Sequence, residues 1–286
     1  MNLKTQIAGV QRHTLFSPNH IGNDAAIFSA VTKLLSEAGF TINLYTEQEF
    51  LTKDVTEDAV FTMLRNEQAV HKLQQLEDNG VIAVNSGYGI ENCTREKMTR
   101  LLLENNVPHP ESLIISTMDK VTTYPSGRDV NFCWVKRGDF HAIHREDVTY
   151  VRNKENLREV MAEYALRGIN RVVINEHLEG DLVKFYGVAG TSFFHWFYPF
   201  DKKHSKFGHE EINGKPEGIP FDVEYLKEIC DKAAAALNVM VYGGDCIIDP
   251  DGTIRIIDFN DWPSFAPCRE EAAPAIASVI IKSLRS

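Results

Sequence analysis

Gly243-Gly244-Asp245-Cys246-Ile247-Ile248-Asp249-Pro250-Asp251-Gly252, followed by Thr253-Ile254-Arg255-Ile256-Ile257-Asp258-Phe259-Asn260-Asp261, is the stretch on which the reading of this chain turns. Two apolar runs flank an Asp-Gly pair, a strong short-range signal for a β-hairpin. With a two-residue loop at Asp251-Gly252, Pro250 faces Thr253 and Asp245 falls opposite Asp258. A four-residue loop shifts the partners but keeps both carboxylates on one face. Asn260 shares the face of Asp258, because strand side chains alternate. A single Asp needs no more explanation than a polar strand end. Three oxygen-bearing side chains on one apolar sheet do, since crowded unpaired anions are costly there. Asp245, Asp258 and Asn260 are therefore expected to seat a hard divalent cation such as Mg²⁺, with Mn²⁺ as a substitute.

Working outward, the 286 residues suffice for one large domain or two to three small ones. The 43% hydrophobic and 24% charged content is that of an ordinary globular protein. A formal net charge of −10 argues against a general nucleic-acid binder. Five cysteines are scattered without a C-x-x-C pair, which favours reduced thiols over a disulfide frame or zinc site. The sequence opens without the apolar core of a signal peptide and has no apolar run able to span a membrane, so the cytoplasm is the expected location.

Up to about residue 112, strand and helix patterns alternate. Ile7–Val10, Phe40–Tyr45, Ala59–Leu64 and Val81–Asn85 read as strands, and the segments from Asn23 or Asp24 to Gly39 and from Gln68 to Leu76 read as helices. Such alternation implies a parallel sheet covered on both faces. Helix Arg95–Asn105 ends before Val107-Pro108-His109-Pro110, where the prolines impose an extended exit. A smaller α+β unit follows, with strands Phe132–Lys136, Asp147–Val151 and Arg171–Glu176 around helix Lys154–Leu166. Leu182–Val188 and Ser192–Tyr198 then read as paired strands, 201–218 as a long polar loop, Asp222–Leu237 as a helix, and Ala272–Leu284 as the last helix.

Lysines occupy unusual places in this plan. Lys97 stands at a helix start, and Lys136 and Lys184 interrupt apolar strands, where a lysine is rarely interior unless its charge is used or its stem reaches water. Three ammoniums opposite a carboxylate metal seat is what a Mg²⁺-nucleotide pocket requires. The chain has neither G-x-x-x-x-G-K-[ST] nor a G-x-G-x-x-G after a strand, which excludes the P-loop and dinucleotide fingerprints, and it has no kinase Gly-rich loop.

Taken in order, these pieces resemble the ATP-grasp superfamily, in particular the branch of the glutathione synthetases, ribosomal-protein glutamate ligases and inositol trisphosphate kinases. The resemblance rests on Asn85, Arg95-Glu96-Lys97 and Pro108-His109-Pro110; on Trp134-Val135-Lys136; on Ile174 to Asp181 and Lys184; and on Asp245 with Asp258-Phe259-Asn260. It implies an α/β and α+β architecture: an N-terminal Rossmann-like parallel-sheet domain at 1–112, a central α+β subdomain at 113–178, and a C-terminal antiparallel-sheet subdomain with the metal site at 179–286. It also implies ATP as cofactor and the roles that follow. Lys97 and Lys136 would be the nucleotide lysines. Glu176, His177 and Leu178 would form the hinge at the adenine edge, with Glu179 or Asp181 near the ribose. Lys184 would lie by the transferred phosphoryl group, and Asp245, Asp258 and Asn260 would hold one or two Mg²⁺ ions.

The chain departs from that pattern after Lys136. Ligases of this branch carry a Gly- and Ser-rich phosphate-covering loop there, whereas Arg137 to Arg145 has one glycine and two histidines. Arg137, His141 or His144 are expected to replace some backbone donors. On the acceptor side, Asp201–His209 gathers three lysines and two histidines in an acidic protein, which suits an anionic small-molecule or peptide acceptor and a closing lid. Arg12, His13 and His20 follow the first strand, where open parallel sheets bind ligands, and Trp262-Pro263-Ser264-Phe265 is expected to wall the acceptor pocket. No nucleic-acid or membrane partner is expected, and a homodimer is compatible with the resemblance. Three functions fit: an ATP-dependent ligase joining a carboxylate to an amine or thiol through an acyl phosphate, a small-molecule kinase of the inositol-phosphate type, and a nucleotide-binding module without turnover.

Overall fold

Alternating apolar strands and amphipathic helices build three four-stranded sheets in a computed structural model that describes residues 5–17, 21–139, 145–199 and 212–285. The first is all parallel, ordered β2-β1-β3-β4, from β1 (Gln6–Gln11), β2 (Thr41–Thr46), β3 (Ala59–Thr62) and β4 (Ile82–Val84). Strand alternation sends Ile7 to one face and Ala8 and Val10 to the other. Against the first face pack α1 (Ile21–Glu37) and, from the far end of the chain, α8 (Arg269–Ser283). The second face is covered by α2 (Glu47–Thr52) and α3 (Glu67–Asp78).

Several details differ from the sequence reading. Among the described residues α1 runs from Ile21, so Asp24 lies in its first turn, and its carboxylate pairs with Arg12 at 3.1 Å. Helices α2 and α4 (Gly87–Asn92) occupy stretches read as connections. Each has a local cap. Thr46 accepts from Glu49 N at 3.1 Å while the Glu49 carboxylate accepts from Thr46 N at 3.0 Å, a reciprocal capping box. Ser86 accepts from Tyr88 N at 3.2 Å.

The second sheet is antiparallel, ordered β5-β8-β6-β7, from β5 (Ser112–Ser116), β6 (Cys133–Arg137), β7 (Val148–Val151) and β8 (Arg171–Glu176). Cys133, Val135, Val172 and Ile174 pack with α6 (Lys154–Leu166) on one face, which leaves Trp134 and Lys136, at the alternate positions of β6, on the other. The third sheet is also antiparallel, ordered β10-β9-β11-β12, from β9 (Asp181–Val188), β10 (Phe194–Phe197), β11 (Val241–Ile248) and β12 (Ile254–Asp261). Its inner face, with Val183, Phe185, Cys246 and Ile256, rests on α7 (Val223–Leu237) and α5 (Arg95–Glu104). Each large side chain buried in this way contributes roughly 1.5–3 kcal/mol.

Helix α5 begins where the sheets meet. Glu96 holds Arg171 of β8 through two bonds of 3.0 Å, and Glu96 N donates to Gly138 O at 3.0 Å. All five cysteines are buried free thiols. Among the described residues no helix is long and apolar enough to cross a membrane.

Candidate active site

The hairpin that opened the sequence reading forms, with a different loop. Asp249 N donates to Thr253 O and Gly252 N to Asp249 O, at 2.9 and 2.8 Å, so three residues, Pro250, Asp251 and Gly252, make the turn. Gly252 takes φ +83°, the left-handed conformation that glycine adopts without penalty. From this turn the register runs Ile248 opposite Ile254 to Cys246 opposite Ile256. It then shifts by one, so that Asp245 faces Asp258 and Gly243 faces Asn260. Ile257 is the extra residue of a β-bulge. Were Ile257 paired in an unbroken ladder, the alternation that buries Ile254 and Ile256 would bury Asp258 and Asn260 as well. With the bulge Phe259 enters the core, while Asp258 and Asn260 turn to the opposite face. A side chain at Gly244 would bring a Cβ within 2.2 Å of Asp258 O, so the strands meet this closely only around a glycine.

The three inner pairings set one row across the sheet: Phe197, Lys184, Asp245 and Asp258 lie side by side on β10, β9, β11 and β12. The next row is His195, Tyr186, Gly243 and Asn260. Lys184 Nζ contacts the Asp245 carboxylate at 2.8 Å, and Arg95 Nη2 contacts that of Asp258 at 3.3 Å. From the second sheet, buried Lys136 donates from Nζ to the carbonyl of the bulge residue Ile257 at 2.9 Å. Two carboxylates thus stand among three cationic side chains supplied by three different segments.

The electrostatics follow from this crowding. Burial pulls the Lys136 ammonium down to about 7, Arg95 adds to that, and Asp258 and Asp245 oppose it. Burial pushes the Asp258 carboxyl up, but Arg95, Lys136, a hydrogen bond from Asn260 and Lys184 together hold it below the usual range. His109 lies beside them and is drawn down to about 3, first by burial and then by Lys136. Its Nδ1 meets the Ile256 carbonyl at 2.6 Å, which requires the proton on that nitrogen. Buried Arg95 Nε has no hydrogen-bond partner among the described residues. An orphaned guanidinium donor on the side chain that holds Asp258 suits an incoming anion.

Several residues of the expected set stand apart from this group. Lys97 is not in this group: its Nζ pairs with Glu91 at 2.7 Å on the exposed side of α5. Residues two apart on a helix do not share a face. Arg95 is in step with buried Met98, Thr99 and Leu102, so it takes the inward place. Asp181 does not face this group. It is in step with Val183 and Phe185, and its carboxylate accepts from Glu217 N, Gly218 N and Ile219 N at 2.7, 2.8 and 2.8 Å. Arg137 is in step with Cys133 and Val135, on the face away from Lys136, and it chelates Asp139 at 2.6 and 3.2 Å.

Other residues of the expected set are placed as follows. The Glu176 carboxylate is held by Glu111 N at 2.8 Å and Arg128 at 2.6 Å. His177 Nδ1 accepts from Trp134 Nε1 at 3.2 Å, and Leu178 is buried. Glu179 is exposed. His20, His141, His144 and 201–211 of the basic loop lie outside the described residues. Arg12 and His13 line a cavity of about 100 Å³ past the end of β1, with Thr14, Asp24 and Met63. Trp262 and Phe265 are fully buried core side chains, and Phe265 packs on Tyr186 at 5.3 Å.

The sequence reading missed Arg95, whose helical spacing to Met98 and Leu102 carries the signal. It also gave no role to the side chains of Trp134 and Tyr150, which pack with His177 of the expected hinge. These rings lie 5.1–6.1 Å apart, with Trp134 on the Lys136 side of β6 and beside 176–178, the segment expected as a hinge.

No family model matches the sequence, and no curated protein matches it. Solved structures do match in fold. D-alanine–D-alanine ligase from Bacillus anthracis, solved with ATP, is 15% identical, with a TM-score of 0.67 and 98% of both chains covered. D-alanyl-alanine synthetase A from Vibrio cholerae is 11% identical, with a TM-score of 0.67 and 99% of both covered. The D-alanine–D-alanine ligase of Coxiella burnetii is 12% identical, with a TM-score of 0.67, covering 99% of this chain and 96% of that one. At such identities the likeness establishes the fold, which is the ATP-grasp fold expected from the sequence. These neighbours are D-alanine–D-alanine ligases, outside the narrower branch named above.

Proposed function

We propose that this protein is an ATP- and Mg²⁺-dependent ligase that joins a carboxylate to an amine or a thiol through an acyl phosphate. One observation carries the reading: the row Lys184-Asp245-Asp258 on the third sheet meets Arg95 and Lys136 from α5 and the second sheet. The likeness of fold to the D-alanine–D-alanine ligases adds support. Lys136 and Arg95 bind the phosphates, Lys184 lies by the transferred phosphoryl group, and Trp134, Tyr150 and His177 form the apolar wall for the base. The substrate carboxylate takes the γ-phosphoryl group, ADP leaves, and the amine or thiol then displaces phosphate from the acyl carbon. No enzyme nucleophile is needed, since positioning and charge stabilisation drive phosphoryl transfer.

The donor chemistry fits Mg²⁺. Asp245, Asp258 and Asn260 offer only oxygen ligands, and among the described residues no cluster of three or more His, Cys, Asp or Glu side chains is arranged to hold a metal. Mg²⁺ characteristically takes one or two carboxylates and completes its octahedron with substrate phosphates and water. When bound it would neutralise phosphate charge. The acceptor is taken to be an anionic small molecule or peptide and the location cytoplasmic, readings that rest on the basic 201–209 segment and the sequence as a whole.

The test is an ADP-release screen over amino acids, other carboxylates, thiols, amines and polyols. Release that needs a carboxylate together with an amine or thiol supports ligation. Release with a single polyol replaces the reading by a kinase, and silence throughout contradicts turnover.

A further inference from the structure

The carboxyl ends of the parallel strands, where open α/β sheets usually receive ligands, are occupied in this chain by the third sheet's own backbone. Three of the four strands contribute. Arg12, just past β1, donates from Nη2 to Trp262 O at 2.9 Å, and its other bonds go to Met63 O and Asp24, both at 3.1 Å. Arg65, past β3, donates from Nη2 to Asp261 O at 3.1 Å and pairs with the Asp261 carboxylate. Asn85, past β4, donates to Val241 O at 2.7 Å and accepts from Met240 N and Val241 N, both at 2.8 Å. Val241 O also accepts from Trp262 N at 2.9 Å, which ties the start of β11 to the end of β12.

These contacts are costly and well placed. Asn85 is 1% exposed, Arg65 9% and Asp261 0%. Burying such charges is an expensive way to join two units, because apolar packing of the same volume does so at lower cost. What the polar groups add is registration. They grip consecutive carbonyls at Asp261 and Trp262, directly after Asn260, and hold Trp262 at φ +33° where the chain leaves the sheet. Val241 lies on the strand that carries Asp245.

We propose that Arg12, Arg65 and Asn85 form a clamp that sets the reach and register of the Asp245/Asp258/Asn260 arm, and so act as positioning residues for joint metal and nucleotide binding. The proposal rests on the active-site reading above. It predicts an effect confined to the metal. The aromatic wall for the base and the Lys136 side chain are carried by the second sheet and Arg95 by α5, so nucleotide binding without metal is expected to change little when the clamp is altered.

The test titrates Mn²⁺ by electron paramagnetic resonance against wild type, Arg65→Lys, Arg12→Lys and Asp258→Asn. Each is saturated with a non-hydrolysable ATP analogue, and analogue binding is measured separately in EDTA. Arg65→Lys is expected to weaken Mn²⁺ about ten-fold or more, the scale on which loss of a group that supports a metal site from outside lowers affinity, with metal-free analogue binding within about two-fold of wild type. If Arg65→Lys does not fold, Arg12→Lys carries the same expectation. Mn²⁺ affinity lost in Asp258→Asn but unchanged in both lysine variants overturns the clamp and leaves the active site standing. A wild type that binds no Mn²⁺ with the analogue overturns both.

Discussion

The second and third sheets are built alike, each antiparallel, four-stranded and backed by helix on one face, yet they prepare their exposed faces differently. The second sheet is regular: β6 pairs with β7 and β8 without a register shift, and simple alternation presents Trp134 and Lys136 on one side. The third sheet breaks its ladder between Asp245 and Cys246, and only that bulge lets Asp258 and Asn260 leave the face that buries Ile254 and Ile256. A regular strand can offer a lysine whose long stem crosses apolar surface. A carboxylate on a one-carbon stem has no such reach, so the backbone itself must turn. The bulge also supplies the Ile257 carbonyl that receives Lys136, so the irregular sheet completes the regular one.

The largest effect expected from this difference is at Asp258. Asp258→Asn keeps the side-chain shape and removes the charge, and it should lower metal-dependent ADP release on the order of 10²- to 10³-fold, the range seen when a preorganised charge at a phosphoryl or acyl site is lost. Unchanged turnover would mean that the bulged face is not the metal seat.

How far that face was legible can be argued residue by residue. The pairing of Asp245 with Asp258 was expected from a two-residue loop with an unbroken ladder. The structure reaches the same pairing with a three-residue loop plus one bulge residue, two departures that cancel. Periodicity cannot see a bulge, because the extra residue leaves the spacing of the polar side chains intact. Arg137 and Asp181 stand apart from the cationic group, and alternation carries the signal: each is in step with buried neighbours, opposite in phase to Lys136 and Lys184. Arg95 was likewise available from its helical spacing to Met98 and Leu102, and a search for cationic residues alone favours Lys97. The contacts of Arg12, Arg65 and Asn85 join residues 155 to 250 positions apart, a separation at which one sequence carries no signal.

The next expected effect separates the two cations of α5. Arg95→Met should weaken nucleotide binding about ten-fold, as loss of a charge-assisted contact of roughly 1.5–3 kcal/mol allows. Lys97→Met, which removes an exposed ion pair worth at most about 1 kcal/mol, should leave it within about two-fold. Calorimetric titration of both variants decides the matter, and the reverse ranking would restore Lys97 to the site.

His109 tests the burial at the junction. Its pKa is depressed to about 3 in the folded chain, against an ordinary value near 6.5, so the unfolded chain binds the extra proton first. Stability from this group is therefore complete above about pH 6.5 and is lost as pH falls toward 3, with a slope of at most about 1.4 kcal/mol per pH unit. Denaturant midpoints measured from pH 7 to 4 should fall less steeply in His109→Gln, and equal slopes would contradict a buried neutral imidazole.

The smallest effect concerns the bulge. Deleting Ile257 makes the ladder regular and leaves Asp258 opposite Asp245, but it removes the carbonyl that Lys136 meets. A stability loss of about 1 kcal/mol, the net worth of one hydrogen bond, and a few-fold weaker nucleotide affinity are expected. An unfolded product would show that the bulge holds the third sheet together.

The most direct measurement is a crystal structure with Mg²⁺ and a non-hydrolysable ATP analogue. The account predicts the ion within about 2.1 Å of Asp258 and Asn260 oxygens and of phosphate oxygens, with Lys136 and Arg95 on the other side of the triphosphate. A nucleotide bound elsewhere, with Asp245 still on Lys184 and Asp258 still on Arg95, would contradict it.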